Sequence, residues 1–284
     1  MNLSPCQKAN VLMESLPYIR AFHNQTVVIK YGGHAMVNEE LKQTVIKDIV
    51  LMKYVGMNPV VVHGGGPEIS EMMIRLGKEP KFIDGLRVTD EETMEITEMV
   101  LLGKINREIV SLINKYGVNA IGISGKDGNM MRAKQKNKDL GLVGEIEKLN
   151  IDFIDMIATQ GYIPVISPIA YGRKGKTYNI NADDVAGKVA AAMNAKKLIL
   201  ITDVKGVMRN QADNGSVISH IRIGEIEEYL NEKIINGGMI PKIKCCFDAV
   251  KGGVKRAHII DGRKPHSILL EIFTNKGIGT MITK

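Results

Sequence analysis

Residues 60–67 read VVVHGGGP: an apolar run closes at His63, three glycines follow, and Pro67 leads into the segment EISEMMIRLG. The run reads as a buried strand, the glycines as a tight turn, and the segment after Pro67 as an amphipathic helix. Glycines let backbone N–H groups face a ligand without interference from Cβ. Proline suits a first helical turn, and the positive end of the helix dipole points into the same space. A phosphoryl group or a carboxylate is the expected guest, although three glycines also serve simply to make a sharp turn. Two rival readings fail on neighbouring residues. The oxyanion loop of lipase-like hydrolases needs a Gly-x-Ser-x-Gly elbow, and the nearest segment, Gly122-Ile123-Ser124-Gly125-Lys126, ends in lysine. A dinucleotide fingerprint needs Gly-x-Gly-x-x-Gly, whereas Gly64-Gly65-Gly66 is followed by Pro67-Glu68-Ile69.

The same strand-and-turn pattern recurs on both sides. Thr26 to Lys30 (TVVIK) reads as a buried strand that ends in lysine and the turn Tyr31-Gly32-Gly33. Lys197 to Thr202 (KLILIT) is another, ending in Asp203-Val204-Lys205-Gly206-Val207. A helix is predicted over 38–55, with Leu41, Val45, Ile49 and Met52 on one stripe and Gly56 as its stop. Thr89, with Glu92 three residues on, reads as the capping box of a long helix reaching about Tyr116. Strand signals cover 119–123 and 163–167, an antiparallel pair is expected near 130–134 and 142–146, and a helix over 151–160. Asn179 to Asp184 lead into a small-residue helix, and Asn236-Gly237-Gly238 opens another that ends near Val250. Residues 258–261 and 268–273 are expected to complete the sheet. Ahead of all this, residues 8–23 form a helical pattern kinked at Pro17. Gly175-Lys176-Thr177 imitates the tail of a phosphate loop, but Ala170 stands where its first glycine belongs.

Strands alternating with helices predict an α/β fold: a three-layer αβα sandwich around a mainly parallel sheet, with the glycine turns sharing one rim. The polar stretch Tyr171 to Lys176 suggests a lobe boundary between 170 and 180.

Composition narrows the function. At 284 residues with 44% hydrophobic, the chain can bury a sizeable core. The formal charge of +7 raises the question of nucleic acid, but Lys134, Lys136 and Lys138 are diluted by Asp139. Only 5% of residues are aromatic, and no stacking motif appears. Small acidic ligands are favoured over nucleic acid. Cys6, Cys245 and Cys246 are an odd set without metal-ligand spacing, as expected of a reducing compartment. No apolar run is long enough to span a bilayer, and the N-terminus resembles neither a signal nor a transit peptide.

Lys30-Tyr31-Gly32-Gly33, His63-Gly64-Gly65-Gly66, Gly85-Leu86-Arg87-Val88-Thr89, Asn179 to Asp183 and Gly238-Met239-Ile240-Pro241-Lys242 stand in that order. Together they resemble the amino-acid kinase superfamily, and the N-acetylglutamate kinases closely, from about residue 10 to the C-terminus. The resemblance implies ATP-dependent phosphorylation of the side-chain carboxylate of N-acetyl-L-glutamate in arginine biosynthesis. Lys30 and Lys242 match the transition-state lysines and Asp183 the carboxylate that orients them. Gly64, Gly65 and Gly66 would hold the phosphoryl group and the substrate, with Arg87 on the substrate's α-carboxylate and Asn179 beside it. Gly32, Gly33, Asp203, Gly206, Val207, Asn236 and Met239 match the nucleotide side, with Mg²⁺ carried on the ATP phosphates and no metal cage in the chain. His63 at the strand end is read as structural rather than as a base, since a carboxylate acceptor is already ionised.

The resemblance also implies three segments: 1–24 as an oligomerisation helix, 25–175 as the acetylglutamate lobe, and 176–284 as the ATP lobe. A homohexamer is expected, with feedback inhibition by L-arginine at Glu271, Gly277, His258 and Tyr18, and a PII-type nitrogen sensor as a partner in oxygenic phototrophs. Cytoplasm, or plastid stroma for an organelle-encoded copy, is the implied location. Sibling kinases of aspartate, glutamate, carbamate or uridylate are the nearest rivals. A non-catalytic amino-acid sensor on the same fold is disfavoured because both Lys30 and Lys242 are kept.

Overall fold

The computed structural model describes residues 4–210, 212, 213, 215–275 and 277–284. Its centre is an eight-stranded sheet built from β1 (Thr26–Tyr31), β2 (Asn58–His63), β3 (Ala120–Ser124), β4 (Ile163–Ser167), β5 (Lys197–Thr202), β6 (His220–Arg222), β7 (Arg256–Asp261) and β8 (Thr280–Thr283). The spatial order is β6-β8-β7-β5-β1-β2-β4-β3, and every neighbouring pair is parallel except β7 with β8. The first strand therefore lies between the two halves of the chain, paired to β2 on one side and β5 on the other.

Side-chain alternation splits the core into two clusters, one on each face of the sheet. Val28, Val60, Val62, Leu198 and Leu200 face the helices Ala182–Ala192 and Met239–Lys251. Val27, Ile29, Val61, Ile199 and Ile201 face Glu39–Tyr54 and the long helix that begins at Glu91. Lys30 continues the Val28 side, so its ammonium is directed towards the first pair of helices. A smaller four-stranded sheet, Met131–Gln135, Gly144–Leu149, Ile169–Tyr171 and Thr177–Asn179, stands beside the main one.

Two local readings are corrected. Residues 268–273 do not form a strand: Ser267–Ile272 is a helix, with Ile268, Glu271 and Ile272 buried at helical spacing. The sheet edge is completed instead by β8 and β6, segments of four and three residues too short to signal themselves. The cap at Thr89 is also displaced. Asp90 Oδ1 accepts from Thr93 N at 2.8 Å, while the Thr89 hydroxyl donates to the Arg87 carbonyl. Aspartate caps as well as threonine does, and the helix takes the next residue. That helix then runs from Glu91 to Lys115 through an eight-residue π segment, Met99–Asn106, which no periodicity announces.

The N-terminal helix Pro5–Phe22 starts from a capping box between Ser4 and Gln7 and contains Pro17. Cys245 and Cys246 are buried and Cys6 is exposed, all as free thiols. Among the described residues, no helix is long and apolar enough to cross a membrane.

Candidate active site

Because β2, β1 and β5 are adjacent and parallel, their C-terminal turns lie side by side at one rim. Each turn is glycine-rich for a visible reason. Gly33 adopts φ +72, and a Cβ there would stand 2.5 Å from Asp203 Oδ1, which accepts a hydrogen bond from the His34 amide. The β1 and β5 turns are thereby pinned together. At Gly65 a Cβ would meet Ile105 Cδ1 at 2.3 Å and Leu101 Cδ2 at 2.7 Å, so the turn lies directly on the π segment. Gly66 differs: a Cβ there would meet nothing within 4 Å. The fold itself does not require a bare backbone at Gly66, which faces open space in a cavity of about 220 Å³.

That cavity is lined by Lys30, Gly32, Gly33, the three glycines Gly64 to Gly66, Asn181, Asp183 and Lys242. It shares Lys30, Gly33 and Lys242 with a larger one of about 530 Å³, lined also by Asp203, Gly206, Val207, Asn236 and Met239. Two cations meet at the junction. Lys242 Nζ donates to Asp183 Oδ2 at 3.0 Å, and Lys30 Nζ lies 3.1 Å from Oδ1 without the alignment of a hydrogen bond. Burial pushes the Asp183 carboxyl up, but the two ammonium groups together hold it down at about 2. Asp183 is therefore an anion across the physiological range.

Its backbone is also fixed. Asn181 Oδ1 accepts from the amides of Asp183 and Asp184 as the helix N-cap, and Cys245 Sγ donates to the Asp183 carbonyl at 3.0 Å. Lys242 lies in the first turn of Met239–Lys251, whose positive end opens on the larger cavity. One anion and two flanking cations, beside a cavity-lining glycine turn and a helix N-terminus, suit a highly charged phosphate chain passing from one cavity to the other.

Arg87 is buried beside this site but turned towards the glycine-turn helix. Its Nη2 donates to the Gly66 carbonyl and to Ser70 Oγ, both at 2.7 Å, and its guanidinium lies over the Phe82 ring at 4.8 Å. Asn179 does not line either cavity; its amide lies 3.4 Å from Thr89 Oγ1, which ties its strand to the Arg87 strand. Asn181 and Arg263 line the cavities and were missed from the sequence. The N-cap pattern ahead of Asp183 was the available signal for Asn181, whereas Arg263 arrives from a turn with no motif of its own.

Of the four residues expected at a second ligand site, Glu271, His258 and Gly277 come together, and Tyr18 stands on neighbouring residues. Glu271 is buried. Its Oε1 lies 2.7 Å from His258 Nδ1, and its Oε2 accepts from Ile278 N at 3.0 Å. Gly277, at φ +59, approaches so closely that a Cβ would lie 2.7 Å from Oε2. Burial raises the Glu271 carboxyl, and His258, the Ile278 amide and Lys197 outweigh it, so the net shift is downward. Tyr18 donates to Asn275 Oδ1 at 2.7 Å and meets the Phe273 ring edge-on, which joins the N-terminal helix to this cluster. Lys197, missed from the sequence, donates to the Glu271 carbonyl at 3.2 Å, and burial lowers its pKa to about 8.

Residues 25–261 match the model of the amino acid kinase family. The acetylglutamate kinase of Alkaliphilus metalliredigens is 67% identical over 283 residues, covering 100% of this chain and 90% of that one. The chain belongs to the amino acid kinase family, among the acetylglutamate kinases. Among solved structures, an N-acetylglutamate synthase of Neisseria gonorrhoeae complexed with coenzyme A and N-acetyl-glutamate is similar at TM-score 0.85 and 25% identity. That likeness covers 97% of this chain and 63% of the synthase chain. The carbamate kinase of Giardia lamblia bound to AMP-PNP shares the fold at TM-score 0.69 and 17% identity, over 92% and 99% of the two chains. The enzyme is thus a phosphotransferase with a carboxyl group as acceptor.

Proposed function

We propose that this acetylglutamate kinase transfers the γ-phosphoryl group of ATP to the side-chain carboxylate of N-acetyl-L-glutamate at the junction of the two cavities. The observation that carries the reading is the Lys30–Asp183–Lys242 constellation facing the open backbone of Gly64 to Gly66. The acceptor carboxylate is already ionised, so the protein supplies position and charge rather than a base. Lys30 and Lys242 neutralise charge on the phosphoryl in flight, and Asp183 holds the two ammonium groups apart at a fixed spacing. Gly64 to Gly66 offer amides to the transferred group, while Arg87 and Asn179, which stand outside the smaller cavity's lining, turn to take the substrate's polar groups when it binds. The lobes divide accordingly, 25–175 for acetylglutamate and 176–284 for ATP.

The larger cavity has the size of a nucleotide site and the positive end of a helix at its phosphate end. Among the described residues, no three His, Cys, Asp or Glu side chains stand together as a metal cage. Mg²⁺ would arrive bound to the ATP phosphates and spread their charge. The test is ATP-dependent acyl-phosphate formation, trapped as hydroxamate, across several acceptors. Acetylglutamate is expected to exceed glutamate, aspartate and carbamate by at least about 100-fold in kcat/KM, because an acceptor that leaves buried polar groups unpaired is strongly rejected. Equal rates with free glutamate would overturn the assignment.

Feedback inhibition by L-arginine belongs to the same proposal. Glu271 offers a carboxylate to a planar guanidinium, with His258, Gly277 and Tyr18 completing the pocket beside the N-terminal helix. Relief by a PII-type nitrogen sensor would act on that inhibition. Titrating activity with L-arginine is expected to give inhibition in the wild type and at least a tenfold weaker response in Glu271→Ala, with the arginine-free rate unchanged. Identical curves would exclude the site.

The N-terminal helix leaves Leu12 70% exposed, with Val11, Met13 and Leu16 also open to solvent. A face of this kind is covered in an assembly, and a hexamer built from dimers through this helix is the proposed form. Deleting residues 1–20 is expected to reduce the mass in solution to that of a dimer; an unchanged hexamer excludes the helix as the contact.

A further inference from the structure

Beneath the glycine turn runs a polar chain that touches neither cavity. His63, at the end of β2, is fully buried, and its Nδ1 lies 2.8 Å from the Gly64 carbonyl oxygen. A carbonyl only accepts, so Nδ1 carries the proton and Nε2 is left as an acceptor. Ser167 Oγ, at 2.9 Å, donates to it. Asn106 comes from the last position of the π segment. Its Nδ2 stands 2.9 Å from the Val165 carbonyl, 3.0 Å from Ser167 Oγ and 3.3 Å from His63 Nε2. With a carbonyl among these neighbours, the amide must turn its NH₂ towards them. Its Oδ1 then points at Gly122, where a Cβ would lie 1.7 Å away, and is left buried without a partner. An acceptor sacrificed in a core indicates that the orientation of the donor side is what the site requires.

We propose that Asn106, Ser167 and His63 form a one-way hydrogen-bond chain that positions the glycine turn, fixing the Gly64–Gly65 peptide so that its N–H is aimed at the transferring phosphoryl group. The polarity is the same at every link: Asn106 donates to Ser167, Ser167 to His63, and His63 to the Gly64 oxygen. Burial lowers the His63 pKa to about 4, so the ring stays neutral and the chain does not reverse at physiological pH. No peptide bond among the described residues is cis, and in a trans peptide the N–H points opposite to the C=O. With the Gly64 oxygen held by His63, the Gly65 N–H faces away from the buried ring, towards the space bounded by Gly64, Gly66 and Lys30. The π segment supplies both ends of the support, Asn106 for the chain and Leu101 with Ile105 for the surface under Gly65. These are positioning residues, and the inference rests on the reading of this turn as the phosphoryl site.

The test compares His63→Asn with His63→Gln in the full-length enzyme. The asparagine amide reaches the place of Nδ1 and keeps a donor for the Gly64 oxygen, whereas the glutamine amide reaches the place of Nε2 and leaves that oxygen unpaired. His63→Gln is expected to lose about 10- to 100-fold in kcat with both KM values within about threefold, the signature of a missing transition-state donor. Its affinity for MgADP plus aluminium fluoride in the presence of acetylglutamate is expected to fall by the same factor, and His63→Asn to recover most of both. Ser167→Ala, a smaller change in the core, is expected to lower kcat several-fold at unchanged KM and serves where His63→Gln does not fold. A folded His63→Gln, or Ser167→Ala, that keeps kcat and fluoride-complex affinity would overturn the proposal. Equal losses in His63→Asn and His63→Gln that follow Tm would overturn it too. Lys242→Ala is the control: if it also leaves kcat and the fluoride complex intact, the phosphoryl-site reading itself fails. If it loses both while His63→Gln loses neither, only the chain is wrong.

Discussion

Lys242→Ala is expected to lower kcat by about 1000-fold while the KM for acetylglutamate moves by less than about threefold. The size follows from what one preorganised cation contributes to a phosphoryl group passing through a loose, highly charged transition state. The split between kcat and KM follows from position. Lys242 projects from the first turn of Met239–Lys251 and is held by Asp183 at 3.0 Å, at the junction of the cavities rather than deep in the smaller one. An interaction that strengthens only as the phosphoryl moves appears in kcat. The fold is expected to survive, because the lysine side chain is partly exposed and Asp183 keeps Lys30.

Asp183→Asn is expected to cost at least as much activity, about 100- to 1000-fold in kcat, and stability as well. The substitution leaves two ammonium groups beside each other with no anion between them. Removing one partner of a buried pair typically destabilises by about 3 to 5 kcal/mol. ATP should then raise the Tm of the variant by more than that of the wild type, since the phosphates replace the missing charge. The pH dependence has a definite sign. The folded carboxyl is depressed to about 2. Its contribution is therefore complete above the usual unfolded value of about 4 and is lost as pH falls from there towards 2. Asp183→Asn should lack that acid limb and show a shallower decline in Tm between those limits. A variant as stable and as pH-sensitive as the wild type would show that the triad is not coupled.

The strands and the rim were legible because three apolar runs each end in a glycine turn, a pattern with few alternatives. What the sequence concealed has particular causes. ILLEIF over 268–273 fits a buried strand or a buried helix equally well by composition, and only its packing at 268, 271 and 272 decides for the helix. The π segment differs from the surrounding α-helix by one residue of hydrogen-bond register, which leaves no trace in hydrophobic spacing.

At the site, Lys30, Asp183 and Lys242 stood in motifs, and both ammonium groups are found within 3.1 Å of the Asp183 carboxylate. Asn106 and Ser167 stood in none. They lie 43 and 104 residues from His63, and their relation exists only through the fold. His63, read as structural from its strand-end position, is indeed buried, yet its hydrogen bonds lead directly to the turn. Lys197 was hidden differently: it stood only as the first residue of an apolar strand, whereas the fold buries it and sets its ammonium on the Glu271 carbonyl.

The most direct measurement of the central claim is a pair of steady-state analyses, Lys242→Ala against Arg87→Ala, each with ATP and acetylglutamate varied. The account predicts a crossed pattern. Lys242→Ala loses kcat at nearly constant KM, and Arg87→Ala raises the acetylglutamate KM by about 10- to 100-fold at nearly constant kcat, the loss expected for a charged hydrogen bond made equally in ground and transition states. The reverse assignment, with Arg87→Ala harming only kcat and Lys242→Ala only KM, would contradict it.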